Sequence, residues 1–347
     1  MAEMDSVKQV QRTAIRDIAA RAGVSVATVS RVLNGRPDVA PATRNVVLRY
    51  IRESGYVSNR SARGLASGRS GLIGLTVPRV FGEYFTQIIA GAAEALYERD
   101  ARFILCPTEH QRDREVSLLE RVMHGTADGA VLILPSETAA ELAQLRRRGF
   151  PFVVIDPPVP VGDDIPVIAV ANWAGGKLAT EHLIALGHRR IAVITGPAAW
   201  SASIDRLAGY HSALLAAGLP IVPDLVCEAD FTIAGGYNMA RRFLSRADRP
   251  TAIFAQNDLM AVATLRAALE MGLRVPDDLS IVGFDDVEPA SLVNPALTTV
   301  SQPLQEIGRL AVTVLFRQLA GETLDARRVE LSTRLVVRAS TAPPGSS

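Results

Sequence analysis

The chain has 347 residues, 48% hydrophobic and 21% charged, a composition that excludes a disordered chain. At ~100–200 residues per domain, that length implies two or three domains. The formal net charge of +1, read whole, argues against a nucleic-acid binder, but residues 1–70 carry +7 and the remainder −6. A basic head on a mildly acidic body is the asymmetry of a nucleic-acid-binding module joined to something else.

The head reads as three short helices. Ile15, Ile18, Ala19 and Ala22 recur at i, i+3, i+4, i+7, one apolar helix face. Gly23 suits a left-handed C-cap, and Ser25 suits the N-cap of a second helix. A turn of three or four residues containing Gly is the helix-turn-helix pattern. Wound at 100° per residue, Val29, Val32 and Leu33 turn inward, while Val26, Ala27, Ser30, Arg31 and Asn34 share the opposite stripe. Arg bonds guanine or phosphate, Ser and Asn bond base edges or backbone, and Val or Ala meets a thymine methyl. The plain alternative is a solvated helix face. Pro41 opens a third helix with Val47, Tyr50 and Ile51 on its apolar side, and Gly55 stops it. Arg44, Arg49 and Arg52 are candidate phosphate contacts. Residues 59–66 can form two helical turns capped by Asn59, too few to persist alone. Residues 67–71 have linker composition.

From Leu72 onward, short apolar runs end at Gly, Pro or Asp: 72–77, 103–106, 130–134, 152–155, 191–195, 252–255 and 280–284. Helical stretches lie between them, at 84–99, 112–124, 173–186, 206–217, 234–245 and 258–271. This alternation predicts parallel sheets covered on both faces. About 270 residues of it exceed one ordinary doubly wound unit, and the proline-rich stretch from Pro157 to Pro160 reads as a crossover between two lobes. Ligands in such folds bind beyond the carboxyl ends of the strands.

Several chemistries are missing. No stretch approaches the ~18 apolar residues of a membrane span, and no apolar run follows the first charges as in a secretory signal. A cytoplasmic protein with no membrane partner is expected. Cys106 and Cys227 are too few and too far apart for a disulfide framework, so buried reduced thiols are expected. His110, His124, His182, His188 and His211 show no metal-site spacing. Gly175-Gly176-Lys177 resembles a phosphate loop only briefly, since Leu178 stands where Ser or Thr is required and the upstream Gly is missing. Neither G-x-S-x-G nor G-x-G-x-x-G occurs, so no enzyme activity, metal or cofactor is expected.

The run from Ile15 to Asn34, IRDIAARAGVSVATVSRVLN, resembles the DNA-binding head of the lactose/galactose-repressor (LacI/GalR) family. The likeness continues through Val39, Thr43, Arg44, Gly55-Tyr56 and Asn59-Arg60. Val26-Ala27 is similar to the galactose-repressor type. Ala14 departs from the family's frequent Thr cap, which Thr13 could replace with a shifted helix start. The resemblance extends over the body through Glu181-His182-Leu183, Leu186-Gly187-His188, Asn257-Asp258, the segment from Ser280 to Asp286, and Leu297-Thr298-Thr299-Val300.

What the resemblance implies is an all-α helix-turn-helix head plus hinge, followed by an α/β type I periplasmic-binding-protein-like core of two doubly wound lobes. The expected domains are a head at 1–58, a hinge helix and linker at 59–71, a core at 72–340 and a disordered tail at 341–347. Within the core, lobe 1 is about 72–167 plus 303–331, and lobe 2 about 168–300 plus 332–340. DNA contacts are expected from Arg16, Ser25, Val26, Ala27, Thr28, Ser30, Arg31, Asn34, Tyr56, Asn59, Arg60 and Leu65, the last as a minor-groove wedge from paired hinge helices. Effector contacts are expected from Asp156, Trp173, Arg206, Phe231, Asn257 and Asp285. In the plain reading, Asp285 caps a helix, Asp156 is a loop acid and Arg206 pairs near Asp205. Phe81, Tyr84 and Phe85 replace the family's common Asn-Pro-Phe-Phe type of stretch.

The function implied is a transcriptional repressor of carbohydrate-utilisation genes. It would bind a pseudo-palindromic operator as a homodimer and be released by a small sugar-like effector between the lobes. The alternative is a purine-repressor-like regulator whose ligand acts as corepressor. A transporter-delivering solute-binding protein is disfavoured by the basic head and absent signal, and an enzyme by the missing motifs. The tail has no leucine heptads, which speaks against a tetramerising coiled coil.

Overall fold

The apolar spacing of the head produces α1 (Ile15–Ala22), α2 (Val26–Leu33) and α3 (Pro41–Ser54). The structure is a computed structural model that describes residues 14–33, 36–55, 70–109 and 127–345. The chain divides into two units, Met1–Ser70 and Gly71–Ser347. In the first, Ile18, Ala19, Val29, Val32, Val39 and Val47 form one small core, with Leu33, Tyr50 and Ile51 packed around it. Gly23 and Gly55 take the left-handed conformation at φ 65° and 61°, which ends α1 and α3. Ala14 offers no capping oxygen; instead the Asp17 carboxylate accepts its backbone N–H at 2.8 Å. Thr13 lies outside the described residues.

The second unit contains two six-stranded sheets. The first uses β1 (Leu72–Val77), β2 (Arg102–Pro107), β3 (Gly129–Ile133), β4 (Phe152–Ile155), β5 (Val167–Val170) and β11 (Arg328–Leu331), in the order β11-β5-β4-β3-β1-β2. All its pairings are parallel. The second uses β6 (Ile191–Thr195), β7 (Val226–Glu228), β8 (Ala252–Ala255), β9 (Ser280–Asp285), β10 (Thr298–Ser301) and β12 (Arg334–Val336), in the order β12-β10-β9-β8-β6-β7. Only its β10–β12 pair is antiparallel. Helices α4 (Glu83–Tyr97), α5 (Ala139–Arg147) and α11 (Leu304–Leu319) belong to the first lobe. Helices α6 (Asn172–Ala185), α7 (Ser201–Ala216), α8 (Ile233–Leu244), α9 (Asp258–Glu270) and α10 (Glu288–Leu292) belong to the second. The expected helix at 112–124 lies outside the described residues. Among those described, no helix is long and apolar enough to cross a membrane. Cys106 and Cys227 are buried and free.

Three expectations need correction. Lobe 1 does not end at residue 167. All of β5 pairs with β4 and β11 in the first sheet, so the chain first leaves that lobe at Ala171. The later crossovers fall at residues 302–303 and 332–333. The proline-rich stretch is therefore not a crossover; it is a loop inside the first lobe, between β4 and β5. The tail is not disordered from residue 341. The Thr341 hydroxyl lies 3.0 Å from His182 Nε2, and the Ala342 carbonyl lies 2.9 Å from His188 Nε2. His188 is buried and also meets Thr251 and Ser280, so the segment joins a hydrogen-bond network of the second lobe.

The glycines that looked like a phosphate loop have a packing role. A Cβ on Gly176 would stand 2.2 Å from the Arg206 carbonyl oxygen, and one on Gly209 would stand 2.1 Å from that of Trp173. Only glycine lets α6 and α7 cross this closely.

Candidate functional site

The carboxyl ends of both sheets face the interlobe cleft, where the functional side chains gather. Asp156 follows β4 at φ 46°, and Asp285 ends β9 at φ 117°. Both turns are strained for non-glycine residues. Arg206, near the start of α7, is buried against Phe284, whose ring centre lies 3.7 Å from the guanidinium carbon. Its Nε donates to Asn172 Oδ1 at 2.8 Å, a contact that the close crossing of α6 and α7 permits. Its Nη1 donates to the Gln256 carbonyl at 2.5 Å and stands 3.9 Å from Asp285 Oδ1. Asp285 has a shorter partner in Gln302, whose Nε2 donates at 2.6 Å. Asp285 caps no helix, since Val287 precedes α10.

On the first-lobe wall, the Tyr84 hydroxyl donates to Asp156 Oδ2 at 2.5 Å. Asp156 Oδ1 is buried without a partner, as are Gln302 Oε1 and Ser203 Oγ. Burial pushes the Asp156 carboxyl up, against the opposing effects of the Tyr84 hydrogen bond, the Arg206 charge and the backbone N–H of Val170. Burial also pushes Asp285 up to about 7, opposed by Arg206 and by the Gln302 bond. Arg206 is lowered by burial and held up chiefly by Asp285, then by Tyr84 and Asp156. The site thus offers one guanidinium and two reluctant carboxylates, with unsatisfied oxygens on Asp156, Gln302 and Ser203. Such a set suits a neutral ligand bearing several hydroxyl groups.

Of the six expected effector residues, the structure brings together Asp156, Arg206, Phe231 and Asp285. The Phe231 ring lies 5.8 Å from Trp200 and 6.0 Å from the Arg206 guanidinium carbon. Asn257 is at the edge with both functions used: Oδ1 caps α9 by accepting from Met260 N at 2.9 Å, and Nδ2 donates to the Phe231 carbonyl at 3.1 Å. Trp173 stands apart. It is 45% exposed, on the solvent face of α6, with its ring against Lys177 one turn on. Sequence reasoning missed Asn172, Ser203, Gln256 and Gln302, and noted Tyr84 only as a departure from the family stretch.

In the head, Val26, Ala27 and Arg31 are exposed on α2 and Arg16 on α1, while Ser30 is half-buried. Ser25 Oγ accepts from Thr28 N at 3.1 Å and lies 3.0 Å from Thr28 Oγ1, so this pair fixes the start of α2. Arg31 Nε lies 3.7 Å from an Asp38 carboxylate oxygen in an exposed pair that leaves Arg31 accessible. Asn34, Tyr56, Asn59, Arg60 and Leu65 lie outside the described residues.

Comparison with known proteins places both units. Residues 14–59 match the model for bacterial regulatory proteins of the lacI family, and residues 180–341 match that of a periplasmic binding protein-like domain. The HTH-type transcriptional regulator CelR of Thermobifida fusca is 39% identical over 341 residues, covering 95% of this chain and 98% of that protein. The solved complex of the transcriptional regulator CelR with cellobiose is similar over 95% of this chain and 100% of that one, at 38% identity and a TM-score of 0.71. The lac repressor dimer bound to operator and the anti-inducer ONPF covers 96% of this chain and 100% of its own, at 29% identity and a TM-score of 0.85. With a helix-turn-helix head, a two-lobed core and relatives spanning nearly its whole length, the chain belongs to the lacI family of bacterial regulatory proteins, which are DNA-binding transcriptional regulators and not enzymes.

Proposed function

We propose that this regulator is a cytoplasmic repressor of carbohydrate-utilisation genes. It binds a pseudo-palindromic operator as a homodimer and is released when a neutral sugar-like effector occupies the interlobe cleft. The observation that carries this reading is the buried Asp156 Oδ1, unpartnered on the first-lobe wall, with Arg206 and Asp285 supplied to the same site by the second lobe. A carboxylate oxygen with no partner accepts a ligand hydroxyl, and the guanidinium donates to a neighbouring one. An anionic ligand would meet two carboxylates for one cation. In the head, Val26, Ala27, Ser30 and Arg31 read the major groove, while Arg16, Ser25 and Thr28 set its approach; Asn34, Tyr56, Asn59, Arg60 and Leu65 complete the proposed contacts. Effector and operator then oppose one another by equal factors, as linkage requires.

The test uses palindromic DNA selected in vitro with the full chain. Mobility shifts are measured with and without cellobiose, the sugar in the solved CelR complex. Cellobiose is expected to lower operator affinity. Arg206→Ala is expected to keep operator binding and lose the response. An Arg206→Ala protein that still releases DNA like the parent would overturn the site assignment.

A further inference from the structure

The proline-rich loop of the first lobe reaches the second lobe at Ser201. The Pro158 carbonyl accepts the backbone N–H of Ser201 at 2.7 Å and its hydroxyl at 3.1 Å. Ser201 is the first residue of α7, and helix starts leave their first N–H groups without intrahelical partners. Trp200, at the cap position, does not cap the helix with its side chain. The first N–H of α7 is therefore satisfied by a carbonyl from the opposite lobe. The joined segments are those that build the cleft. Asp156 stands just before Pro157 and Pro158, and Ser203 and Arg206 lie within the next two turns after Ser201. Pro157, Pro158 and Pro160 fix their own φ angles, so a stiff loop presents the carbonyl. The contact is also distinct from the three chain crossovers.

We infer that the Pro158–Ser201 contact is a cross-lobe clasp that caps the Arg206 helix from the first lobe, making Pro158 and Ser201 positioning residues for the effector site. Cleft closure and the placement of Arg206 against the Asp156 wall are then one event. The clasp rests on the effector-cleft reading only for its consequence on ligand affinity.

Ser201→Pro removes both donors. Proline is favoured at the first helical position, and Trp200, at φ −88° and ψ 132°, already has the backbone that precedes a proline. Ser201→Ala removes only the hydroxyl. A double variant, Pro157→Gly with Pro158→Gly, loosens the loop from the first lobe without touching α7. Trp200 is one of two tryptophans. In a Trp173→Phe background its quenching by acrylamide reads the closed state without any ligand, with circular dichroism melts checking the fold.

Quenching is expected to rise in Ser201→Pro and in the first-lobe double variant, with Ser201→Ala between them and the parent. Cellobiose affinity is expected to fall at least about fivefold in Ser201→Pro, the effect of the backbone hydrogen bond alone, with the hydroxyl's loss adding to it. Unchanged quenching in the double variant would overturn the clasp, because a merely local role for Ser201 cannot transmit a change from the other lobe. Quenching that responds in a chain that binds no cellobiose supports the clasp and counts against cellobiose as effector.

Discussion

Asp285 makes the core's stability depend on pH in a direction opposite to that of an ordinary paired carboxylate. Burial holds its folded pKa at about 7, above the usual unfolded value of about 3.9. Between pH 6 and 8 the unfolded carboxyl is ionised throughout, while the folded one gives up its proton. The folded state therefore binds more protons, and stability falls as pH rises through 7. For one group with this midpoint, the fall from pH 6 to pH 8 is about 1.4 kcal/mol. His182, His188 and His211 act the other way. Burial lowers each, so their contribution is present above the unfolded histidine pKa and is lost as pH falls. The raw curve of the parent mixes both trends, and comparison with Asp285→Asn separates them. The assay is urea unfolding at pH 6, 7 and 8, followed by the fluorescence of Trp173 and Trp200, which both lie on second-lobe elements. Asp285→Asn is expected to remove the alkaline fall, so that its stability relative to the parent rises by about 1.4 kcal/mol across the window. Parallel curves for the two proteins would refute the argument that a buried, readily protonated Asp285 faces the cleft.

Tyr84→Phe leaves Asp156 Oδ2 without its 2.5 Å donor. The core is expected to lose about 1–3 kcal/mol, most of it at alkaline pH where the orphaned carboxylate must stay charged, as urea unfolding at pH 6 and 8 would register. Gly176→Ala pushes a methyl group to 2.2 Å from the Arg206 carbonyl. A loss of about 1–3 kcal/mol in unfolding free energy is expected, with a weaker effector response as α7 is displaced. Val26→Glu places a charge at an exposed position of α2 where it would face phosphates and base edges. Operator binding in a mobility shift is expected to vanish while the melting temperature stays within error of the parent.

Where an apolar run is bounded by Gly, Pro or Asp, the strand was legible to the residue, as in β1, β4, β6 and β8. The alternation also carried the two-lobed architecture. Edge strands β7, β11 and β12 escaped because they are short, partly polar and half-exposed, and only tertiary pairing makes them strands. Helix α7 was expected from residue 206 but starts at Ser201, because its cap comes from a carbonyl in the other lobe. Asp156, Arg206, Phe231 and Asp285, named through the family likeness, are near one another in the structure. Asn172, Gln256 and Gln302 were not legible, since a buried amide carries no periodic signal and Gln302 enters the cleft from a crossover. Trp173 was chosen for its ring, although spacing alone sets it with Lys177 and Glu181 along one stripe of α6, away from Asn172, Gly176 and Ala179.

The unsatisfied atoms of the cleft and its strained turns have a common physical sense. A fold that only had to be stable would not bury Asp156 Oδ1, Gln302 Oε1 and Ser203 Oγ without partners, since each such group costs about 1–3 kcal/mol. Nor would it hold Asp156, Phe231, Asp285 and Asp286 at positive φ around the same opening. Not every such cost lies there, since His211 Nε2 is also buried without a partner and Asp100 is held at φ 51°, but these members meet where the two sheets present their carboxyl ends. A ligand hydroxyl that satisfies one of these oxygens recovers part of the cost only when both walls are near enough to contribute. Under the proposed function, such a ligand would favour a closed arrangement of the lobes over an open one. That differential affinity is what an effector needs in order to shift a two-state protein, and tight binding to a single wall would shift nothing.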